Sequence, residues 1–473
     1  MTINRRKHDI PIRLVKVLNA VIMTLLFYLV WKVYYNPNLP HGLFDDFGSY
    51  TIAVLYLILY CFLGRTYDAF AVSYNRISEM VYSQSLTVFF SDVIMYIVIC
   101  LLSRSIPWML PGLLTLAAQI VVAVVWSALV HKWYFSSFPP RKTVIIYDMR
   151  EGMENLISEY GMENKFEIIG SCQVDDCIRG DMEILDQGVE AVFMCGVHSH
   201  ERNIILKRCI EKNIVMFVIP RIGDVIMSGA QTMHMFHLPM LRVGRYNPSP
   251  EFAFVKRAFD VLVSGIAIVL LSPILGITAL AVKSDGGPAF YRQVRLTRNG
   301  REFEILKFRS MRVDAEKDGV ARLSTGDNDD RITKVGKVIR KVRLDELPQL
   351  FNIFSGDMSI VGPRPERPEI AEQYEAEMPE FKLRLQAKAG LTGYAQVYGK
   401  YNTTPYDKLQ MDLMYIAHPS FLQDLKICFA TIKILFLPES TEGVDPGQVT
   451  ALDYENEANR TEKWEKRDEH WTD

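Results

Sequence analysis

Residues 256–283 read KRAFDVLVSGIAIVLLSPILGITALAVK, and the fold turns on whether this block crosses a membrane or only dips into one. The apolar run from Val261 to Val282 is long enough to span a bilayer core, which takes about 20 residues. Ser272 and Pro273 sit at its centre. Proline there removes an i→i−4 hydrogen bond and kinks or breaks a helix, and a neighbouring serine can satisfy freed backbone groups. Two forms fit: a kinked fifth span, or a helix-break-helix that enters one leaflet and returns. The flanking charges choose between them. Lys256 and Arg257 open the block, and Lys283, Arg292, Arg295, Arg298, Arg301, Lys307, Arg309 and Arg312 follow it. Positive charge on both sides keeps both ends cytoplasmic. A re-entrant helix over 257–283, broken at Ser272 and Pro273, is the expectation.

Working toward the N-terminus, four apolar stretches precede this block: VLNAVIMTLLFYLVWKVYY, YTIAVLYLILYCFL, LTVFFSDVIMYIVICLL and LPGLLTLAAQIVVAVVWSALV. Their lengths approach a bilayer core. Arg5, Arg6, Lys7, Arg13 and Lys16 precede the first, whereas the loop NPNLPHGLFDDFG has no Lys or Arg. Arg65 and Arg76 follow the second, Arg104 alone marks the third loop, and Lys132, Arg141 and Lys142 follow the fourth. The pattern is in-out-in-out-in, so residues 1–140 are expected as four transmembrane helices that deliver the chain to the cytoplasm. Asp92, within the third span, is expected to face the bundle or snorkel toward its cytoplasmic end. The first apolar run lacks a small-residue cleavage pattern, and no cleaved leader is expected.

Residues 141–245 alternate buried-strand patterns (KTVIIYD, FEIIGSCQV, AVFMCG, IVMFVIP) with helical ones (EGMENLISEYG, HERNIILKRCIEKN). The segment is Rossmann-like in pattern. Its first turn, YDMREGMEN, has one glycine, too few for the close backbone approach that a pyrophosphate requires. It is expected to hold no dinucleotide.

The 473 residues leave room for two or three domains. A net charge of −2 argues against a nucleic-acid binder, and the 49% apolar content concentrates in the segments above. Seven cysteines form no paired framework. The pair in CQVDDC has no second pair or nearby His to complete a metal site.

Downstream of the block come FYRQVRLTRNGREFEILKFRSM, a hairpin with its turn at Asn299-Gly300, then RITKVGKVIRKVRLDELPQL, GDMSIVGPRPERPEI and KAGLTGYAQVYGK. Asp345 and Glu346 lie side by side after a strongly basic run. Such a run alone reads as a solvated helix face. Here the arginines of KFRSM and GPRP stand beside residues that fix the backbone, an arrangement suited to bidentate phosphate recognition. Asp412 and Tyr415, three apart, read as packing or polar-network residues. From about 441 to 473 the chain is an acidic, polar tail.

From about Lys256 to Phe436 this sequence resembles the bacterial sugar transferases, the polyprenyl-phosphate hexose-1-phosphate transferases of the monotopic type. The resemblance rests on KRAFD, the Ser-Pro break, YRQVRLTRNG, KFRSM, RITKVGKVIRKVRLDELPQL, GDMSIVGPRP, GLTGYAQVYG and DLKI. GGP in SDGGPAFYRQ departs from the family, where many members carry Pro before the Gly-Pro. The four spans and Rossmann-like domain upstream resemble its long members. The resemblance implies a mostly helical catalytic domain over 250–440 at the inner face of the bacterial cytoplasmic membrane. It implies a UDP-sugar donor and a polyprenyl (undecaprenyl) phosphate acceptor, giving polyprenyl-diphospho-hexose and UMP, the initiating step of exopolysaccharide, capsule or O-antigen synthesis. It also implies Asp345 as nucleophile on the β-phosphorus, Glu346 as a ligand of Mg²⁺, and Lys307, Arg309, Arg340 and Arg364 as phosphate contacts. Glucose comes before galactose as the expected hexose, and the membrane part offers surface for a homodimer. Two alternatives fit less well. A membrane-anchored nucleotide-sugar dehydratase or epimerase needs a glycine-rich fingerprint and a Tyr-x-x-x-Lys pair in the soluble part; the fingerprint is missing, and Tyr28 and Lys32 lie in the first span. A non-catalytic assembly scaffold leaves the DELPQ segment unexplained.

Overall fold

The helices of the first half bury their small and polar residues and expose their aliphatic ones. The computed structural model describes residues 3–40, 44–148, 152–313, 315, 331–399 and 403–435; the acidic tail expected at 441–473 lies outside the described residues. Helix α1 (Ile3–Val30) continues into a π-helical turn at Trp31–Tyr35, and α2 (Asp46–Thr66), α3 (Ile77–Ser103) and α4 (Leu110–Ser137) follow. Packing runs α1 on α2, α2 on α3, α3 on α4 and α4 on α1. The inward seam of α3 carries Ser83, Gln84, Thr87 and Ser91, and that of α4 carries Thr115, Gln119, Ala123 and Ser127. Leu101, Leu114, Val121 and Leu129 point outward, each more than 60% exposed. Small and polar residues let helices approach closely where lipid offers no hydrophobic drive between them, so this distribution suits a bundle solvated by hydrocarbon. Asp92 faces inward: Tyr56 Oη donates to its Oδ1 at 3.1 Å and accepts from Gln119 Nε2 at 2.8 Å.

Strands β1 (Arg141–Tyr147), β2 (Phe166–Gln173), β3 (Ala191–Cys195) and β4 (Val215–Val218) form one parallel sheet in the order β2-β1-β3-β4. Helices α5 (Met153–Glu159), α6 (Val174–Arg179) and α7 (Ser199–Glu211) connect them. Central β1 buries Thr143, Val144, Ile145 and Ile146 in succession, the continuous apolar run of a strand covered on both faces. Long apolar helices and mixed α/β structure in one chain are the makings of a membrane protein, and among the described residues five helices are long and apolar enough to cross a bilayer.

The chain divides into two compact units, Met1–Pro220 and Arg221–Asp473. The second begins with α8 (Ile222–Ser228), the hairpin of β5 (Gln231–Met235) and β6 (Leu238–Arg242), and α9 (Pro250–Lys283). Where the sequence suggests a break, α9 stays helical through Ser272 and Pro273. Pro273 cannot donate to the carbonyl of Val269, four residues back, and Ser272 Oγ donates to that same carbonyl at 2.7 Å. The hydroxyl replaces the lost bond. One face of α9 touches its own unit along most of its length: Asp260 and Ser264 are buried, Ala267, Ile268 and Leu271 pack on the main core, and Leu275, Ala279 and Val282 pack with Phe308 and Ile339. The opposite face is an apolar stripe, with Leu262, Ile266, Val269, Leu270, Ile277 and Leu280 exposed.

Strands β7 (Phe290–Leu296) and β8 (Glu302–Phe308) pair antiparallel, from Phe290 with Phe308 to Leu296 with Glu302. Asn299 and Gly300 both hold positive φ at the tip, where the turn was expected. Beyond the Leu296–Glu302 pair, Thr297 N donates to the Arg301 carbonyl at 2.8 Å, and Thr297 Oγ1 donates to the Asp357 carbonyl at 3.0 Å. Then come α10 (Lys334–Lys341), α11 (Gln349–Ser355), β9 (Ser359–Val361), α12 (Pro368–Glu377), β10 (Gly390–Thr392), α13 (Tyr394–Tyr398), α14 (Pro405–Ala417) and α15 (Phe421–Leu435). Their core gathers Phe303, Ile305, Ile353, Met358, Leu409 and Ile427 around the parallel pair β9–β10.

Candidate active site

Asp345 and Glu346 lie on a single 3₁₀ turn, Leu344–Glu346, between α10 and α11. An α-helix would separate their side chains by about 100°; the 3₁₀ turn separates them by about 120°. The preceding Arg343 adopts a left-handed conformation, φ 54°, a costly state for a long side chain. It ends α10 and reverses the chain. Helix α10 docks on the KFRSM segment through Gly336, where an added Cβ would lie in contact with the Ser310 carbonyl. Thr333 caps the helix by accepting from Gly336 N at 2.9 Å.

Three elements meet at Glu346. Lys307, near the end of β8, places Nζ 2.9 Å from Glu346 Oε1, and Arg364, on the loop after β9, places Nη2 3.0 Å from the same oxygen. The Glu346 side chain is 15% exposed and that of Arg364 is 45% exposed, so the acid sits under a cation that solvent and ligand can reach. Burial alone would raise the Glu346 carboxyl; Lys307 and Arg364 outweigh it and hold the group well below the usual carboxylate range. Asp345 goes the other way. Burial, then the neighbouring Glu346 charge, push it up to about 6, against the pull of Lys307, Arg340 and Arg364. Two adjacent carboxylates with opposed environments are a common signature of divided chemical labour.

Arg340 lies half-buried in the last turn of α10, close enough for its charge to act on Asp345. Arg309 is turned into the fold instead. It is 7% exposed, with Nε donating to the Pro288 carbonyl at 2.9 Å and Nη2 to the Val282 carbonyl at 3.0 Å. Both acceptors are backbone carbonyls, Val282 near the end of α9 and Pro288 in the loop before β7.

Two supporting residues, Asn352 and Arg384, carried no sequence signal; Gly362 lies in the GDMSIVGPRP motif, and Asp412 was expected in packing or a polar network. Asn352 on α11 donates from Nδ2 to the Glu304 carbonyl at 2.8 Å and accepts from Leu306 N at 2.9 Å, tying β8, and with it Lys307, to the helix that follows Glu346. Arg384 donates to the Arg364 carbonyl at 2.9 Å and steadies the arginine loop. Gly362 opens that loop at a close backbone crossing, where a Cβ would lie in contact with the Lys388 carbonyl. Asp412 is the buried ion-pair partner of Arg384.

The site thus juxtaposes a carboxylate of near-neutral acidity, a firmly anionic one, and a half-open cluster of cations. Residues 251–438, which contain all of it, match the sequence model of the bacterial sugar transferases. The chain belongs to that family. It is 38% identical over 234 residues to a UDP-N-acetylgalactosamine-undecaprenyl-phosphate N-acetylgalactosaminephosphotransferase of Aeromonas hydrophila, a match covering 49% of this chain and 54% of that one. It is 42% identical over 191 residues (39% of this chain, 41% of the relative) to a UDP-glucose:undecaprenyl-phosphate glucose-1-phosphate transferase of Klebsiella pneumoniae. A protein of the same name from Caulobacter vibrioides is 39% identical over 206 residues, 42% of this chain and 76% of the relative. The chain spans about half the length of the first two of these relatives.

Proposed function

We propose that this protein transfers hexose-1-phosphate from a UDP-sugar to undecaprenyl phosphate at the cytoplasmic face of the inner membrane, releasing UMP and starting polysaccharide assembly. The reading divides the chain into four transmembrane helices (1–140), a Rossmann-like domain (141–245) and the catalytic domain (250–440), with α9 lying in the cytoplasmic leaflet and both its ends on the cytoplasmic side. The apolar outward stripe of α9, opposite a face held by its own unit along most of its length, supports that seating.

In this reading Asp345 Oδ attacks the β-phosphorus of the donor. The bond from that phosphorus to the bridging oxygen breaks, and UMP leaves with the electron pair. An oxygen of the lipid phosphate then attacks the same phosphorus, the bond to Asp345 breaks, and the diphosphate lipid departs. Lys307, Arg340 and Arg364 balance the charge of donor and acceptor phosphates and stabilise the transferring phosphoryl oxygens. Arg309 supports the site from behind by fixing the end of α9.

A divalent cation, Mg²⁺ in this proposal, fits the residues present. No group of three or more His, Cys, Asp or Glu suited to a metal occurs among the described residues. Mg²⁺ is commonly held by one or two carboxylates plus substrate phosphates, and Glu346, held firmly anionic by Lys307 and Arg364, supplies such a ligand. The cation would draw off charge on the diphosphate.

The observation that carries the proposal is the convergence of Lys307 and Arg364 on Glu346 beside Asp345. The test is incubation of membranes with labelled UDP-glucose, UDP-galactose and UDP-N-acetylgalactosamine, followed by extraction of the lipid. Label from the β-phosphate should enter the lipid, and label should stay on wild-type protein but not on Asp345→Asn when acceptor is omitted. UMP formation only in the presence of acceptor, with intersecting initial-rate lines, would replace the covalent route by direct attack.

A further inference from the structure

We infer that Lys256 is a positioning residue for Arg364, and that one turn of α9 sets the spacing between the acidic pair and the arginine loop. Three side chains within five residues of α9 grip the two segments that meet in the site. Lys256 Nζ donates to the Val361 carbonyl at 3.0 Å, three residues before Arg364. Arg257 donates from Nη1 and Nη2 to the carbonyls of Ile353 and Phe354, both at 2.8 Å, on the helix that follows Glu346. Asp260, one turn on, accepts from Ile360 N at 2.9 Å and Ser359 Oγ at 3.2 Å. The KRAFD motif therefore addresses both walls of the site from behind.

Lys256 is itself held from three sides. Its ammonium lies 2.6 Å from Asp424 Oδ2 and donates to Tyr415 Oη at 3.1 Å, and Tyr415 Oη donates to Asp424 Oδ1 at 2.9 Å. Asp424 is 1% and Tyr415 2% exposed. A lysine needed only to place a charge beside a membrane would face water; this one lies largely inside, with its donors directed at fixed acceptors. A chain so held has few alternative rotamers. Removing it leaves the Val361 carbonyl with only the longer 3.4 Å contact from Tyr415 Oη and a buried carboxylate without its cation, which lets the β9 end, and Arg364 beyond it, drift from Glu346. In the transferase reading Arg364 holds donor phosphate in the ground state as well as in the transition state, and loss of such uniform binding raises KM more than it lowers kcat.

The inference rests on the transferase reading, and two measurements on the full-length protein separate them. The first is hydrogen exchange, which needs no turnover. Lys256→Met should lose protection across 359–364 while β8 keeps its own. The second is kinetic. Lys256→Met should raise KM for the UDP-sugar by about tenfold with kcat changed by less than about threefold, and should add less than about twofold in an Arg364→Gln background. If Lys256→Met misfolds, Tyr415→Phe, which removes one oxygen, should give the same pattern at about two- to threefold in KM. Unchanged protection over 359–364, or an equal KM increase with and without Arg364, overturns the inference. Absence of transfer from every UDP-sugar by wild-type protein overturns the function while leaving the exchange result to judge the clamp.

Discussion

Arg384 brings both Nε, at 2.9 Å, and Nη2, at 2.7 Å, to the same oxygen of Asp412, and the same Nη2 donates to the Arg364 carbonyl. The pair is buried, with side chains 7% and 2% exposed. Breaking such a pair from the Asp412 side leaves the buried guanidinium with only its longer contact to Glu366, 3.7 Å from Nη1, where a fully uncompensated charge would cost about 3 kcal/mol or more. Asp412→Ala should lower the thermal midpoint of the purified protein sharply. Replacing both members with apolar residues of similar volume should recover much of that loss while impairing transfer, because the Arg364 carbonyl then lacks its donor. Differential scanning fluorimetry beside a lipid-transfer assay reads both.

The acidity of Asp345 predicts a pH profile. Its carboxyl is raised from 3.8 to about 6, and in the proposed mechanism the attacking form is the carboxylate. Below that value kcat/KM should fall about tenfold per pH unit, and it should level off above about pH 7. Lys307 helps hold the group down, so Lys307→Met should move the acid limb to higher pH. A limb that stays in place would separate Asp345 from the rate.

The same shift has a stability consequence. A carboxyl whose folded value lies above its unfolded one binds more protons in the native state, so its contribution to stability declines as pH rises from about 4 to about 6. At pH 7.5 the wild-type protein bears this burden in full. Asp345→Asn should therefore melt higher than wild type while losing transfer. A lower midpoint would mean that the amide breaks contacts the acid makes.

Arg309→Met should unfold more easily by about 2 kcal/mol, since two backbone carbonyls lose charged donors. Arg309→Lys should recover little, because one ammonium does not reproduce the two-nitrogen reach to Val282 and Pro288. A stable Arg309→Met protein with a weakened KM for donor would return Arg309 to the phosphate contacts.

Asn299, exposed at the tip of the β7–β8 hairpin, reports topology. With both flanks of α9 basic, a cysteine placed there should resist membrane-impermeant maleimide in intact cells and react after permeabilisation. Labelling in intact cells would make α9 a true span and remove access to cytoplasmic donors.

Much of this fold was legible because burial leaves a linear trace. The β1 run shows as unbroken aliphatics, and the four apolar helices show by length and loop charge. Asp345 and Glu346 stood out through local order of motifs. The helix through Pro273 was not legible as continuous, because its repair depends on one serine rotamer rather than on composition. Nor were the partners of Arg309: Lys307 and Arg309, two apart, would share a face if β8 ran on, but β8 ends at Phe308 and Arg309 turns to the carbonyls of Val282 and Pro288. The Arg384–Asp412 pair spans 28 residues, and Lys256–Asp424 spans 168. Neither has a local pattern, since chain topology alone brings them together.

Asn352 offers both ends of one amide to neighbouring backbone groups of β8, a carbonyl and an N–H in fixed order. That joint is keyed. If β8 slid by one residue, the amide would meet a carbonyl where it needs a donor, and each β8 side chain would turn to the opposite face, taking Lys307 away from Glu346. A misregistered strand is thus penalised at Asn352 before any substrate is met, so folding errors in the hairpin become loss of structure rather than a well-folded protein with a miswired site.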